Sequence, residues 1–229
     1  MASRTLDKLL SRETLPAADG DGRRPPDLGG GGGHEPGSEG ISPVATAHTG
    51  LWIFLVAVTM LFIAFPASYL SRRTAPDWGA RIALPPILWL NTILLLVSSG
   101  VLERARRRWR LGDVKTLRRG LLVAAGLGGV FLAGQLAAWR QLALAGVFMR
   151  SNPHSAFFYL LTAVHGLHLL GGLGAFGYAL SRVASLPVAA GSAVTEGPAG
   201  VTAAVEGVGL YWHFLAALWL YIFIILFFL

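Results

Sequence analysis

Histidines and a few acids are the side chains with which this 229-residue chain could do chemistry. His165 and His168 stand three apart in SNPHSAFFYLLTAVHGLHLLGG, so on a helix they share one face about a turn apart. His48, His154 and His213 also lie in or near apolar segments. Imidazoles on facing helices can ligate haem or a metal pair, which would make the chain a small membrane redox enzyme. Yet no carboxylate stands at ligand spacing near His165 or His168, and no second internal His-x-x-His pair occurs. Neutral rings joining neighbouring helices by hydrogen bonds are the better reading. Cysteine is absent, which excludes thiolate metal sites, disulfides and cysteine nucleophiles.

The elements that must position these residues are membrane spans. The chain is 54% hydrophobic and only 14% charged, against roughly 25% charged in a soluble domain. Five apolar segments each approach the roughly 20 residues that cross a bilayer as helix. They run over about 51–70, 82–102, 120–138, 155–180 and 207–229. The expected fold is all-α: a polytopic membrane bundle of five transmembrane helices over 50–229, behind an N-terminal tail over 1–49. That tail mixes acids and bases with the run Gly29 to Gly33 and scattered prolines. It cannot bury enough apolar surface to offset its chain entropy, so disorder is expected, with at most a short amphipathic helix over Met1 to Leu10. The glycine run lacks the Gly-Lys-Ser/Thr of a phosphate loop and reads as a linker.

Local signals refine the spans. Asn152-Pro153-His154 marks the start of the fourth, where proline and a short polar side chain suit a first helical turn. Pro85 and Pro86 are expected in the first turn or two of the second, and Pro66 as a kink in the first. Tyr69 fits an interfacial aromatic belt. Ala124/Gly128 and Ala125/Gly129/Ala133 offer small residues at spacing four, which lets helices approach closely. The fourth span, at about 26 residues and ~39 Å, exceeds the hydrocarbon thickness and should tilt or project. Asn91, Thr92, Ser98, Ser99 and Gln135 read as interhelical hydrogen-bond formers.

The net charge of +7 does not point to nucleic acid, because the bases concentrate between the spans. Residues 103–119 carry eight of them, against five spread over two connections on the opposite side. That asymmetry predicts a cytoplasmic 103–119 loop, a cytoplasmic N-terminus and an external C-terminus. The same loop can attract anionic lipid headgroups. Glu103, beside Arg104, Arg106 and Arg107, reads as a solvated ion pair, and Glu206 as an acid in the first turn of the last helix.

Three phrases carry a family resemblance over about 50–229. AFFYLLTAVHGLHLLGG resembles the sixth helix of subunit III of the haem–copper oxidases, the cytochrome c oxidase family. EGVGLYWHFLAALWLYIF resembles the start of its last helix, and WLNTILLLVSSG its fourth; Gln135 matches a glutamine of the fifth. The family's usual form has seven helices in two groups, and this chain resembles the shorter bacterial form that lacks the first two. Three acids of the family pattern are missing: Val58, Ala138 and Ala216 stand in their places. A proton-handling role for those acids therefore does not transfer.

The resemblance implies a non-catalytic subunit of a bacterial terminal oxidase that oxidises cytochrome c, reduces dioxygen and pumps protons. Partners would be catalytic subunit I, subunit II and membrane phospholipid, with haem and copper only in partner subunits and no cofactor here. The location implied is the bacterial inner membrane. Asn91, Gln135, His165, His168, Glu206, Trp212 and His213 would serve structure or lipid contact. For Glu206, a helix cap and a lipid-linked role both stand open. An accessory subunit of a nitric oxide reductase is the nearest alternative, and the small haem enzyme the rival of a different class.

Overall fold

Short polar side chains and prolines set the helix boundaries. The computed structural model describes residues 43–72, 74, 84–186 and 198–228. Most of the expected tail, and with it the possible helix over Met1 to Leu10, lies outside these described residues. Five helices follow in order: α1 (Pro43–Arg72), α2 (Ile87–Trp109), α3 (Val114–Leu144), α4 (Pro153–Ala184) and α5 (Ala199–Phe228). All five are long and apolar enough to cross a bilayer, and no strand occurs among the described residues.

α2 and α3 form a hairpin. Gly112 takes φ 82°, a left-handed conformation that glycine adopts without a Cβ penalty. Asp113 then caps α3, accepting from the Thr116 amide at 2.9 Å and its hydroxyl at 2.6 Å. Those bonds, the hydroxyl's foremost, hold the Asp113 carboxyl below its usual range. The start of α4 is as the sequence predicts: Pro153 follows Asn152, which accepts from the Ser155 amide at 2.7 Å in a reciprocal capping box. The Ser155 hydroxyl also donates to the Phe148 carbonyl, and Tyr159 to that of Val147, tying the α3–α4 connection to the helix it feeds.

Two proline expectations fare differently. α1 continues through Pro66 to Arg72. Pro85 and Pro86 precede α2 instead of lying inside it; their carbonyls accept from Leu88 and Trp89. Proline has a carbonyl to offer a helix start but no amide, so this placement leaves no donor missing. Tyr69 is enclosed by its own chain. It is 1% exposed and turns inward, its ring 5.8 Å from that of His154 and 5.6 Å from Phe157.

The helices α2, α3, α4 and α5 close a four-helix ring in which each meets the next, and α1 lies outside it against α4 and α5. α5 is the most enclosed, with Trp212 and Trp219 both within 2% of full burial. Small residues make that possible. A Cβ on Gly128 would come within 2.5 Å of the Trp212 indole, and one on Gly172 within 3.0 Å. Gly128 thus makes room on α3 for the Trp212 indole that reaches across from α5, although the two helices themselves do not pack on each other. The Ala125/Gly129/Ala133 stripe plays no such part: a Cβ on Gly129 would meet nothing within 4 Å, and Ala133 is exposed. Apolar side chains such as Ile53, Met60, Ile93, Leu122, Leu136 and Leu167 cover the outside, a surface suited to lipid tails. α4 spans 32 residues, about 48 Å at 1.5 Å per residue, longer than the hydrocarbon core it crosses.

Candidate functional site: a polar seam between α2 and α5

The polar side chains of the spans gather mainly along one antiparallel contact, α2 against α5. At its charged end Glu206 accepts from both Arg106 and Arg110, the latter at 3.1 Å. Arg106 also reaches Glu103 of its own helix at 3.2 Å, and Arg107 reaches Glu103 at 2.8 Å. Gly209 makes room for this, because a Cβ there would overlap the Arg106 guanidinium.

One step along, the His213 Nδ1 shares a hydrogen bond with the Ser99 hydroxyl, and its Nε2 lies 3.5 Å from Glu103. Next, the Trp212 indole N–H donates to Ser98 at 2.9 Å, and Ser98 donates to the Ala124 carbonyl of α3 at 2.9 Å. Furthest along, the Trp219 indole N–H donates to Thr92 at 3.0 Å, and Thr92 donates to the Leu88 carbonyl. The seam therefore recurs about every two turns: Glu206 and His213 meet Arg106 and Ser99, seven apart on both helices, while Trp212 and Trp219, seven apart, meet Ser98 and Thr92, six apart. Seven residues are two helical turns, so the same stripe of each helix returns to the partner.

Each sequence-predicted residue now has a place. Thr92, Ser98, Ser99, Trp212 and His213 do join helices. Glu206 is not in a first turn: α5 begins at Ala199, two turns earlier, and the carboxylate bridges to α2 instead of capping. The reason is that Ala199–Val205, small residues that are apolar apart from Thr202, can extend the helix ahead of the span. His165 and His168 do not act on one face. His165, fully buried, sits 5.1 Å from the Trp219 ring and 5.9 Å from Phe131, inside the four-helix ring. His168 turns towards α1, 5.7 Å from Phe62 and 6.1 Å from Phe54. Three residues leave two side chains ~60° apart around a helix, enough to address different neighbours in a bundle.

The expected interhelical bond fails for several of these. His168 donates to the Val164 carbonyl of its own helix at 2.7 Å; its own carbonyl accepts from Tyr211 at 3.0 Å. His165, Gln135 and the Asn91 amide nitrogen meet no hydrogen-bonding group among the described residues; Phe131 and Trp219 rings lie beside His165, and Gly134 lies beside Asn91. The side chain of His48 lies outside the described residues. Among those described, no three His, Asp or Glu side chains gather to hold a metal.

The sequence reading missed the indole N–H donors of Trp139 and Trp219. Trp139 donates to Thr162 at 3.1 Å and joins α3 to α4. The seven-residue spacing of Trp212 and Trp219, facing Ser98 and Thr92 six apart on α2, is the signal that could have found the seam. Chemically, the seam pairs donors with acceptors and positive with negative charge; it presents no activated nucleophile and binds helix to helix.

Comparison with known proteins gives one consistent result. The family model described as cytochrome c oxidase subunit III matches residues 37–229. Among similar curated proteins, the probable cytochrome c oxidase subunit 3 of Mycobacterium tuberculosis is 31% identical over 188 residues, covering 78% of this chain and 86% of that one. The cytochrome c oxidase subunit 3 of a Synechocystis strain is 30% identical, covering 78% and 73%. That of Thermostichus vulcanus is 29% identical, covering 78% and 85%.

Proposed function

Since the chain belongs to the cytochrome c oxidase subunit III family, we propose that it flanks the catalytic subunit of a bacterial oxidase, stabilises it and holds phospholipid. As a subunit III of a haem–copper oxidase, the chain is a multi-pass membrane protein of a complex with other oxidase subunits. The nitric oxide reductase alternative is not favoured by these matches. Membership is also consistent with a chain that carries no redox cofactor of its own.

The finer reading has subunits I and II as the partners, cytochrome c as the electron donor of the complex, and haem and copper held by the partners. Bacterial relatives support an inner-membrane location. The arginine-rich α2–α3 hairpin supports a cytoplasmic position for that end, with the C-terminus outside. The observation that carries the structural role is the α2–α5 seam. Its ion pairs, hydroxyls, indoles and His213 are engaged with one another along the contact, so they hold shape and leave no reactive group poised.

The test is co-purification. Tagged chain drawn from membranes in mild detergent should bring subunits I and II with it. Glu206→Gln and Trp212→Phe should reduce their recovery while the oxidase that remains assembled keeps its oxygen chemistry. Full recovery of partners with loss of oxygen chemistry would place a reactive role in this chain.

A further inference from the structure

Three side chains inside the four-helix ring carry hydrogen-bonding atoms that no described group of the protein meets. They are Asn91 Nδ2, both amide atoms of Gln135, and both ring nitrogens of His165. None is near the surface: Asn91 is 1% exposed, Gln135 3% and His165 0%. Unpaired polar atoms are costly in any apolar interior, and more so where the surroundings are lipid.

The helix registers place all three at one level. The Asn91 amide lies directly against Gly134, where a Cβ would overlap it, so Asn91 stands level with Gln135. On α3 and α4, Phe131 meets His165 and Trp139 bonds to Thr162, which brackets Gln135 at the height of His165. On α5, Trp219 touches His165 and bonds to Thr92, the neighbour of Asn91. Each of the three is among the buried residues of its own helix.

We propose that Asn91, Gln135 and His165 enclose an internal water site at this level. The chemistry selects water over other occupants. A carboxamide nitrogen donates, a carboxamide oxygen accepts, and a neutral imidazole does one of each. The ligand must therefore donate and accept in a small volume, which water does through about three bonds. A divalent cation would call for carboxylates, and among the described residues no acid stands at this level. An anion would leave the Gln135 oxygen and one ring nitrogen facing negative charge. Gly134 shapes the site, because it lets the Asn91 carboxamide lie on the α3 backbone.

The site is tested on the full chain in deuterated-lipid vesicles, with 15N-labelled histidine. His165 is assigned by its loss in His165→Phe. The His165 ring should receive magnetisation from a slowly exchanging water, and Gln135→Leu should cut that transfer several-fold. Transfer that is absent in the wild-type chain, or unchanged in Gln135→Leu, overturns the proposal. Should Gln135→Leu fail to insert, a density map of the wild-type oxidase complex decides. Ordered water between the three side chains supports the site; a direct Asn91–Gln135–His165 chain with no water overturns it.

Discussion

Glu206 and Arg106, a hundred residues apart in the chain, form an ion pair that closes the charged end of the α2–α5 contact. Both are mostly enclosed, at 24% and 13% side-chain exposure, and Arg110 and Glu103 extend the pair to a network. Gly209 keeps the approach open.

Removing one partner leaves the other charge without its counterpart. Glu206→Gln should destabilise the chain by about 1–2 kcal/mol, less than a fully buried pair because water reaches part of it. A thermal unfolding series in detergent measures this. The double variant Glu206→Gln/Arg106→Gln should lose less than the sum of the singles, since the shared pair is counted once. Additive losses would show that the two do not interact.

Gly128 offers a sharper steric case. Its substitution by alanine drives a methyl into the rigid indole of Trp212, and overpacking of this kind costs about 1–3 kcal/mol. Gly129→Ala, one residue on and facing open space, should be neutral or slightly stabilising, since alanine is the better helix former. Ser98→Ala, which removes the acceptor for Trp212, should cost about 0.6–1.7 kcal/mol by the scale of intramembrane bonds. Unfolding midpoints of the three variants, measured side by side, rank these effects.

The sequence made some of this legible and hid the rest for physical reasons. The spans were plain, because nearly uninterrupted apolar runs of bilayer length have few other uses. The start of α4 was plain too, since Asn152, Pro153 and Ser155 act on their own helix. The start of α5 was not, because Ala199–Val205 carries only Thr202 as a polar residue and the helix already runs through it. Hence Glu206 looked like a first-turn acid. The divergence of His165 and His168 depends on where α1 lies, and no local pattern encodes that. The packing of Tyr69 on His154 and Phe157 was hidden as well, because it depends on where α4 lies. The seam was legible in principle through its seven-residue spacing, but only once α2 and α5 were known to be neighbours.

The Asp113 cap carries a pH signature. Its folded carboxyl is held below the ordinary value of 3.8 by the Thr116 hydroxyl and amide. A lowered folded pKa means that the cap's stabilisation is present above the unfolded value and is lost as pH falls through the folded one. The wild-type chain should therefore exceed Asp113→Ala in unfolding midpoint at neutral pH, and that gap should shrink below pH 3.8. An unchanged gap would assign the effect to helix propensity and not to the charged cap.

Orientation is open to a clean measurement, because the chain has no cysteine of its own. Arg108→Cys in the last turn of α2 and Ser151→Cys in the α3–α4 connection place single exposed thiols on the two sides that α3 joins. A membrane-impermeant maleimide should label Ser151→Cys in intact cells and Arg108→Cys only after permeabilisation. The reverse pattern would invert the proposed topology.

The most direct test of the account is the redox-difference spectrum of this chain before and after its partners are stripped away. The complex pulled down by the tagged chain should show haem bands in proportion to the recovered catalytic subunit. The separated chain, still folded by circular dichroism, should then be colourless. A stoichiometric Soret band that stays with the separated chain and disappears in His168→Ala would contradict the account and make this subunit a haem protein in its own right.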